Sequence, residues 1–138
     1  MTNEAILIEL GINGGKPIRR NVIDATGIPK YTLMKLSGAS VNYITTSSLD
    51  SVPWGGIATA EKVASDGSST LAVYTEGVWE LKATANAGTI IPGSAVALSG
   101  NNTIRLGVEA DYPLGNIIGY AEEPISSNAA GRVRLRGN

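Results

Sequence analysis

The side chains that most often carry out catalysis are scarce in this sequence. Among its 138 residues there is no histidine and no cysteine. This composition excludes disulfides and removes the commonest general base, the thiolate nucleophile and two of the commonest metal ligands. Catalysis would therefore require a pair of carboxylates, a lysine, or a serine activated by a lysine.

The carboxylates of the chain do not form an obvious pair. Glu122 and Glu123 are adjacent, and adjacent side chains of a strand point to opposite faces of the sheet. An aspartate in a loop mainly accepts hydrogen bonds from its own backbone. Four aspartates lie in predicted loops, none with calcium-binding spacing: Asp24, Asp50, Asp66 and Asp111. We therefore predict no catalytic residues and no metal ligands, and a protein that is not an enzyme.

Two short motifs are similar to cofactor sites, and both lack part of the required pattern. In segment 11–16 the lysine precedes Pro17, where a phosphate-binding loop has serine or threonine. Met34-Lys35 is similar to the Met-Lys-Met hairpin of biotin-carrier domains, but the turn signal comes later, at Gly38. Lys35 therefore falls inside a predicted strand. We expect no bound cofactor, and a biotin-type carrier or small-molecule-binding β-barrel remains an alternative.

The elements that position these residues follow a plan that is used twice. Leu36 corresponds to Leu98 at an offset of 62 residues, and Gly56 corresponds to Gly119 at an offset of 63. Residues 55–61 match residues 118–123, and residues 69–75 match residues 131–135. Self-similarity at a fixed spacing indicates a repeated supersecondary unit. Two copies predict a small β domain in which one strand–turn–strand plan recurs.

The remaining pattern is typical of short strands separated by turns. Glycine is frequent, at 17 residues, and Pro92-Gly93 has the composition of a type II turn. About eight or nine predicted strands follow one another at the spacing of a sandwich or barrel. We predict an all-β fold with at most one or two short helical turns. It would be a small sandwich or barrel-like domain over residues 26–138, preceded by a flexible, extended N-terminal arm over residues 1–25.

The predicted arm carries the clearest signal for binding. It contains a short apolar run and two adjacent arginines: Ile6, Leu7, Ile8, Leu10, Arg19 and Arg20. Such a segment can add a strand to the exposed sheet edge of another chain. It can equally pack on its own domain as a first strand. The sequence leaves both alternatives open.

A second candidate binding surface lies near the end of the sequence. Arg132, Arg134 and Arg136 alternate with Val133 and Leu135. In a strand this alternation places the three arginines on one face of the sheet. That face is either a solvated surface or a contact for the carboxylates or anions of a partner.

Charge and hydropathy argue against nucleic-acid and membrane partners. The formal net charge is −1, so no long-range field attracts nucleic acid or acidic lipid. Aromatic residues are not interleaved with the basic ones. No apolar run approaches the roughly 18 residues of a spanning helix, and no signal-peptide pattern follows Met1. We therefore expect a soluble, unsecreted protein.

Several motifs, taken in order along the chain, are similar to those of one structural family. They are residues 31–36, 56–63, 72–81, 118–121 and 133–135. Their order resembles that of the capsid cement or head-decoration proteins of tailed bacteriophages, and in particular the lambda-type decoration proteins. Some relatives in this family are labelled head fibre proteins. The resemblance spans roughly residues 17–136 and depends on the order of the motifs.

The resemblance implies a compact β-tulip domain, usually trimeric, seated on the outside of an icosahedral capsid, with no catalytic residues. It also implies an N-terminal arm that orders on the capsid surface. We expect a structural virion protein, made in the host cytoplasm, whose homotrimer binds the major capsid protein and stabilises the expanded shell. The arm residues named above would contact the capsid. Four others would form the trimer interface: Val78, Trp79, Arg132 and Arg134. A tail or baseplate adaptor, or a head fibre, is the alternative.

Overall fold

The fold is built almost entirely from short strands. A computed structural model describes residues 5–9, 17–37, 43–46, 52–100, 102–113 and 115–136. They form eleven strands: β1 Ile6–Glu9, β2 Ile18–Asn21, β3 Leu33–Ser37, β4 Tyr43–Thr46, β5 Trp54–Ala58, β6 Thr70–Tyr74, β7 Glu76–Lys82, β8 Ala95–Ser99, β9 Thr103–Leu106, β10 Ile117–Ala121 and β11 Ala130–Arg136. Within this part of the chain the one helical element is a 3-10 turn, Glu109–Asp111. The all-β prediction is confirmed.

The strands form two antiparallel sheets. The large sheet has six strands in the order β1-β7-β11-β10-β8-β9, and the small sheet has five in the order β2-β6-β5-β3-β4. Each sheet, as far as its described strands go, ends in edge strands and does not close into a barrel. The architecture is therefore a small β-sandwich.

The two sheets repeat one five-strand unit. The small-sheet order β2-β6-β5-β3-β4 becomes the large-sheet order β7-β11-β10-β8-β9 when each strand is replaced by the one five places later. β1 is an additional strand on the edge of β7. The strand plan predicted from the 62–63-residue offset is therefore confirmed.

The repeat extends to the register of the strands. Met34 pairs with Gly56 and Val96 pairs with Gly119, and in both sheets the register shifts immediately afterwards. Glycine is required at both places. Gly56 has a φ of +112°, and a Cβ at Gly119 would overlap the carbonyl oxygen of Arg134. The glycines that revealed the repeat are thus the residues that permit close backbone approach at each β-bulge.

The connections outside the strands repeat as well. Ile28 forms an isolated antiparallel bridge with Lys62, and Ile90 forms the same kind of bridge with Ile125. These pairs are related by the same 62–63-residue offset as the strands. The repeated unit therefore includes the loops that flank its strands, although one copy has a lysine where the other has an isoleucine.

The hydrophobic core lies between the sheets, with a second cluster on the far face of the small sheet. Leu33 and Ile57 of the small sheet pack with Trp79 and Val133 of the large sheet. The second cluster comprises Val22, Ile28, Met34, Ile44, Ala58, Leu71 and Val73. Successive residues of β3 therefore enter different clusters, which explains why that strand is apolar on both faces. The small sheet curls around its cluster until β2 approaches β4.

The described parts of the predicted N-terminal arm belong to the two sheets. β1 pairs with β7, β2 pairs with β6, and the backbone N–H of Ala5 donates to the carbonyl of Tyr31 at 3.0 Å. Of the two alternatives for the apolar run, packing on its own chain is the one observed. The described residues therefore show no division between arm and domain at residue 25. Leu10 and segment 11–16 lie outside the described residues.

A buried asparagine connects the two sheets. Asn102, in the turn between β8 and β9, is fully buried and has a left-handed φ of 60°. Its Oδ1 accepts a hydrogen bond of 2.7 Å from the backbone N–H of Leu33 in β3. Asparagine suits this position because it tolerates the left-handed region and supplies an acceptor.

Replacing Asn102 with alanine should lower the free energy of unfolding by about 2–3 kcal/mol, measured by urea denaturation. Alanine strains the backbone and leaves the buried N–H of Leu33 without that acceptor. Asn128→Ala is the matched control, because Asn128 has a φ of 64° but is exposed. It should cost only the strain, about 1 kcal/mol. Equal losses from the two variants would contradict a role for the cross-sheet hydrogen bond.

Candidate functional site

The ammonium group of Lys62 is surrounded by hydrogen-bond acceptors. Its side chain is buried, and Nζ lies 2.9 Å from Oδ1 of Asp24 and 2.9 Å from Oδ1 of Asp66. It also donates to the carbonyls of Asp24 and Val63 at 2.9 and 3.1 Å. Burial alone would lower the pKa of Lys62, but the hydrogen bonds to the two carboxylates outweigh it and raise that pKa. The amine stays protonated and acts as a clamp between two loops.

Asp111 forms a second buried ion pair. Its carboxylate receives two hydrogen bonds from the Arg105 guanidinium, at 2.7 and 2.9 Å. The backbone N–H of Val108 and Nδ2 of Asn116 also donate to it, at 2.8 and 3.1 Å. The Arg105 guanidinium in particular holds the pKa of Asp111 well below its ordinary value. The pair fixes the segment between β9 and β10.

The loop aspartates therefore have larger roles than predicted. Asp66 and Asp111 do accept hydrogen bonds from nearby backbone, from Ser68 and Val108, as expected of turn residues. Their cationic partners were missed. Lys62 lies 38 residues from Asp24, so local sequence gives no sign of that contact. Lys62 and Asp66 are four residues apart, and Arg105 and Asp111 are six apart, so these two pairs did carry a local signal. Asp50 lies outside the described residues.

The other polar candidates stay apart from one another. Glu122 accepts from Nη2 of Arg134 at 3.1 Å, whereas Glu123 accepts from the backbone N–H of Arg132 at 3.0 Å. Lys35 lies inside β3, between neighbouring strands, and not at a hairpin tip. Among the described residues no group of three or more acidic side chains is placed to hold a metal ion.

The predicted binding residues converge instead on one exposed face of the large sheet. Ile6 pairs with Glu80, and Glu80 pairs with Arg132. Two residues further along β11, and therefore on the same face, Arg134 pairs with both Val78 and Tyr120. Directly paired residues share a face, so these side chains lie on the surface opposite the core. We call this surface the outer face: Ile6, Val78, Glu80, Tyr120, Arg132 and Arg134.

The outer face combines exposed apolar and basic groups. Ile6 is 52% exposed, and Tyr120 is 38% exposed. Ile8 lies at the bulge of β1 beside this face and is also exposed. The side chain of Arg134 is 67% exposed despite its contact with Glu122. Tyrosine and arginine beside exposed isoleucines have the composition of a protein-binding surface.

Comparison with protein-family models finds no match, and comparison with curated protein sequences finds none either. The function is therefore inferred from the surface of the chain itself. Over the residues that the structure covers, no helix has the length and apolar character needed to cross a membrane.

Trp79 must be removed from the predicted trimer interface. Its indole is fully buried, with ring centroids 5.4 Å from those of Tyr31 and Tyr74, and its Nε1 donates to the carbonyl of Glu76 at 3.0 Å. A side chain with no exposed surface has none to bury against a partner. Leu7 also packs towards the core.

The arginines of the predicted arm lie elsewhere. Arg19 and Arg20 belong to β2, at the edge of the small sheet, whereas Ile6 and Ile8 belong to the large sheet. The residues predicted to contact a capsid therefore divide between two surfaces. One is the outer face with its neighbour Ile8, and the other is the β2 edge.

Proposed function

We propose that this protein is a structural component of a virion that binds the outside of an icosahedral capsid as a homotrimer. The outer face carries this proposal, because it places the exposed Ile6, with Ile8 at its border, on the same surface as exposed arginines and a tyrosine. The motif order that resembles the capsid cement proteins supports it. On this proposal Ile6 and Ile8 contact the major capsid protein, while Val78, Arg132 and Arg134 contact a neighbouring copy.

The physical mechanism is preferential binding to one state of the shell. A protein that binds the expanded lattice and not the unexpanded one stabilises the expanded lattice by mass action. Three linked copies engage three neighbouring sites together, so contacts that are weak singly become strong in combination. Many such trimers would oppose the outward force of a packed genome.

Substituting both Ile6→Glu and Ile8→Glu should weaken binding to expanded, undecorated capsid shells by about 100-fold. Full burial of an exposed isoleucine supplies roughly 1.5–3 kcal/mol. Because Ile6 and Ile8 are 52% and 37% exposed, burying what remains of both supplies about 1.3–2.7 kcal/mol in total, and a buried glutamate would add a desolvation cost. Co-sedimentation of the purified chain with shells measures the effect. Analytical ultracentrifugation should still show trimers, because Arg132 and Arg134 lie on β11, which β7 separates from β1.

Ile91→Glu is the matched control for this experiment. Ile91 is 55% exposed but lies in the connection before β8, away from the outer face. Its substitution should leave co-sedimentation unchanged. Full binding by the double variant would contradict the proposal, and labelled protein bound at a single vertex would indicate a tail adaptor instead.

A further inference from the structure

The first and last strands of the repeated unit are joined in one copy and separated by a gap in the other. In the large sheet Ala83, which follows β7, forms a bridge with Ile104 of β9, and the N–H of Thr84 donates to the carbonyl of Ile104 at 2.9 Å. The equivalent residues of the small sheet are Val22, which follows β2, and Ile44 of β4. Within the residues that the structure describes, no such bridge joins them, although β2 approaches β4.

The gap between β2 and β4 opens into a small cleft with a volume of about 150 Å³. Its lining consists of Arg19, Arg20, Asn21, Leu36 and Tyr43. Arg20 pairs with Leu71 and Leu36 pairs with Ile44, and both of these partners are buried in the second hydrophobic cluster. Arg20 and Leu36 therefore face the inside of the curled sheet, whereas Arg19 projects from the opposite face of β2.

Arg20 stands where the second copy has a core leucine. Arg20 pairs with Leu71 of β6 as Leu81 pairs with Gly131 of β11, and Leu81 is buried. The side chain of Arg20 is half-buried, and its buried Nε has no acceptor among the described residues. A partly desolvated guanidinium without an acceptor is unfavourable at a place where leucine could pack. A residue that departs from the local pattern at a cost in stability is typical of a binding site.

We propose that this cleft binds a small carboxylate through Arg20. A guanidinium presents parallel N–H groups that match the two oxygens of a carboxylate, and Leu36 and Tyr43 line a space for an apolar body. Among the described lining residues Arg20 is the one cation on the inner side, so it balances a single negative charge. A cavity of about this volume holds a benzene-sized group, so the ligand has about six to nine non-hydrogen atoms.

Benzoate is a direct probe of the cleft, and benzamide, which has nearly the same shape without the charge, is the comparison. With isotope-labelled full-length protein at low salt, benzoate should bind with a dissociation constant of about 1 mM. Benzamide should bind about tenfold more weakly, because a charge-assisted hydrogen bond is stronger than a neutral one. Phosphate, a dianion without an apolar body, should also bind about tenfold more weakly. Changes in amide chemical shift should concentrate on β2 and β4.

Substitution of Arg20 should separate binding from stability. Arg20→Leu introduces the residue of the second copy, so it should abolish benzoate binding and raise the thermal midpoint by about 3–5 °C. Arg20→Lys keeps the charge without the planar fork and should bind benzoate about threefold to tenfold more weakly than the native chain. Arg132→Gln removes an exposed arginine of the large sheet and should leave the affinity for benzoate unchanged.

The proposal is overturned by equal affinity for benzoate and benzamide, by phosphate binding as tight as that of benzoate, or by no binding of benzoate at tens of millimolar. It is also overturned if the shifts are confined to the large sheet or if Arg20→Leu retains the affinity. A lower thermal midpoint for Arg20→Leu would show that the guanidinium supports the fold, which contradicts the proposal as well. The experiment uses the chain alone and no capsid, so its outcome is independent of the proposed function.

Discussion

Replacing Asp111 with asparagine should lower the free energy of unfolding by about 3–5 kcal/mol. Asparagine preserves the shape of the side chain but removes the anion. The Arg105 guanidinium, whose side chain is only 13% exposed, would then keep its charge but lose the Asp111 carboxylate. Urea denaturation followed by circular dichroism measures the change. The loss should appear as a lower midpoint with an unchanged slope, because the surface exposed on unfolding stays the same.

The exposed pair between Arg134 and Glu122 supplies the matched control. It joins the same kinds of group at 3.1 Å, but the side chains are 67% and 37% exposed. Solvent screens such a pair, so Glu122→Gln should change stability by less than about 1 kcal/mol. Similar losses in the two variants would show that burial does not determine the strength of these pairs.

The same Asp111→Asn variant should respond less to acid than the native chain. Because Arg105 holds the pKa of Asp111 low, the folded state binds a proton more weakly than the unfolded state does. The stabilisation is complete above the unfolded pKa of about 3.9 and declines as the pH falls below it. The pKa of Asp66 is also lowered, first by the N–H of Ser68 and then by Lys62, and contributes in the same direction. The native chain should therefore lose stability more steeply below about pH 4.

Replacing Trp79 with alanine should cost about 3–5 kcal/mol of unfolding free energy. The substitution removes a fully buried indole from between Tyr31 and Tyr74 and leaves a cavity between the sheets. Trp79→Phe should cost less, because most of the ring contact stays and only the hydrogen bond to Glu76 and part of the volume are lost. Urea denaturation at two protein concentrations a factor of ten apart measures both variants.

Val78 is the neighbouring comparison, since it is half-buried on the outer face. Val78→Ala should change the stability of the single chain much less than Trp79→Ala does, and on the proposed function it should make the association of copies more dependent on protein concentration. If Trp79→Ala instead weakened association and left the stability of the chain intact, the core position of Trp79 would be contradicted.

The repeat was predictable from sequence because its requirements are local. Gly56 and Gly119 permit a β-bulge, and Leu36 and Leu98 hold the same place in equivalent hairpins. A requirement for glycine, or for a leucine that packs on the core, restricts the residue type at one position. The spacing between such restricted positions is then enough to show that a unit occurs twice.

The features that could not be predicted depend on distant partners. An apolar run such as Ile6–Glu9 carries the same pattern whether it pairs with its own chain or with another. The cluster around Lys62 joins loops that only the folded chain brings together.

The position of Trp79 did carry a local signal. Alternation places it with Leu81 on the side opposite Val78 and Glu80, which indicates a core position.

A chain that contains one strand order twice can place a strand of one copy into the sheet of the other while it folds. Lys62 and Ile125 make this error costly, because they occupy the same bridge position in the two copies. An exchange would bury the Lys62 ammonium beside Ile90 without Asp24, and would set an isoleucine against the Asp24 carboxylate. The difference in polarity at this bridge position therefore disfavours exchange between the two copies, even though their strand orders are the same.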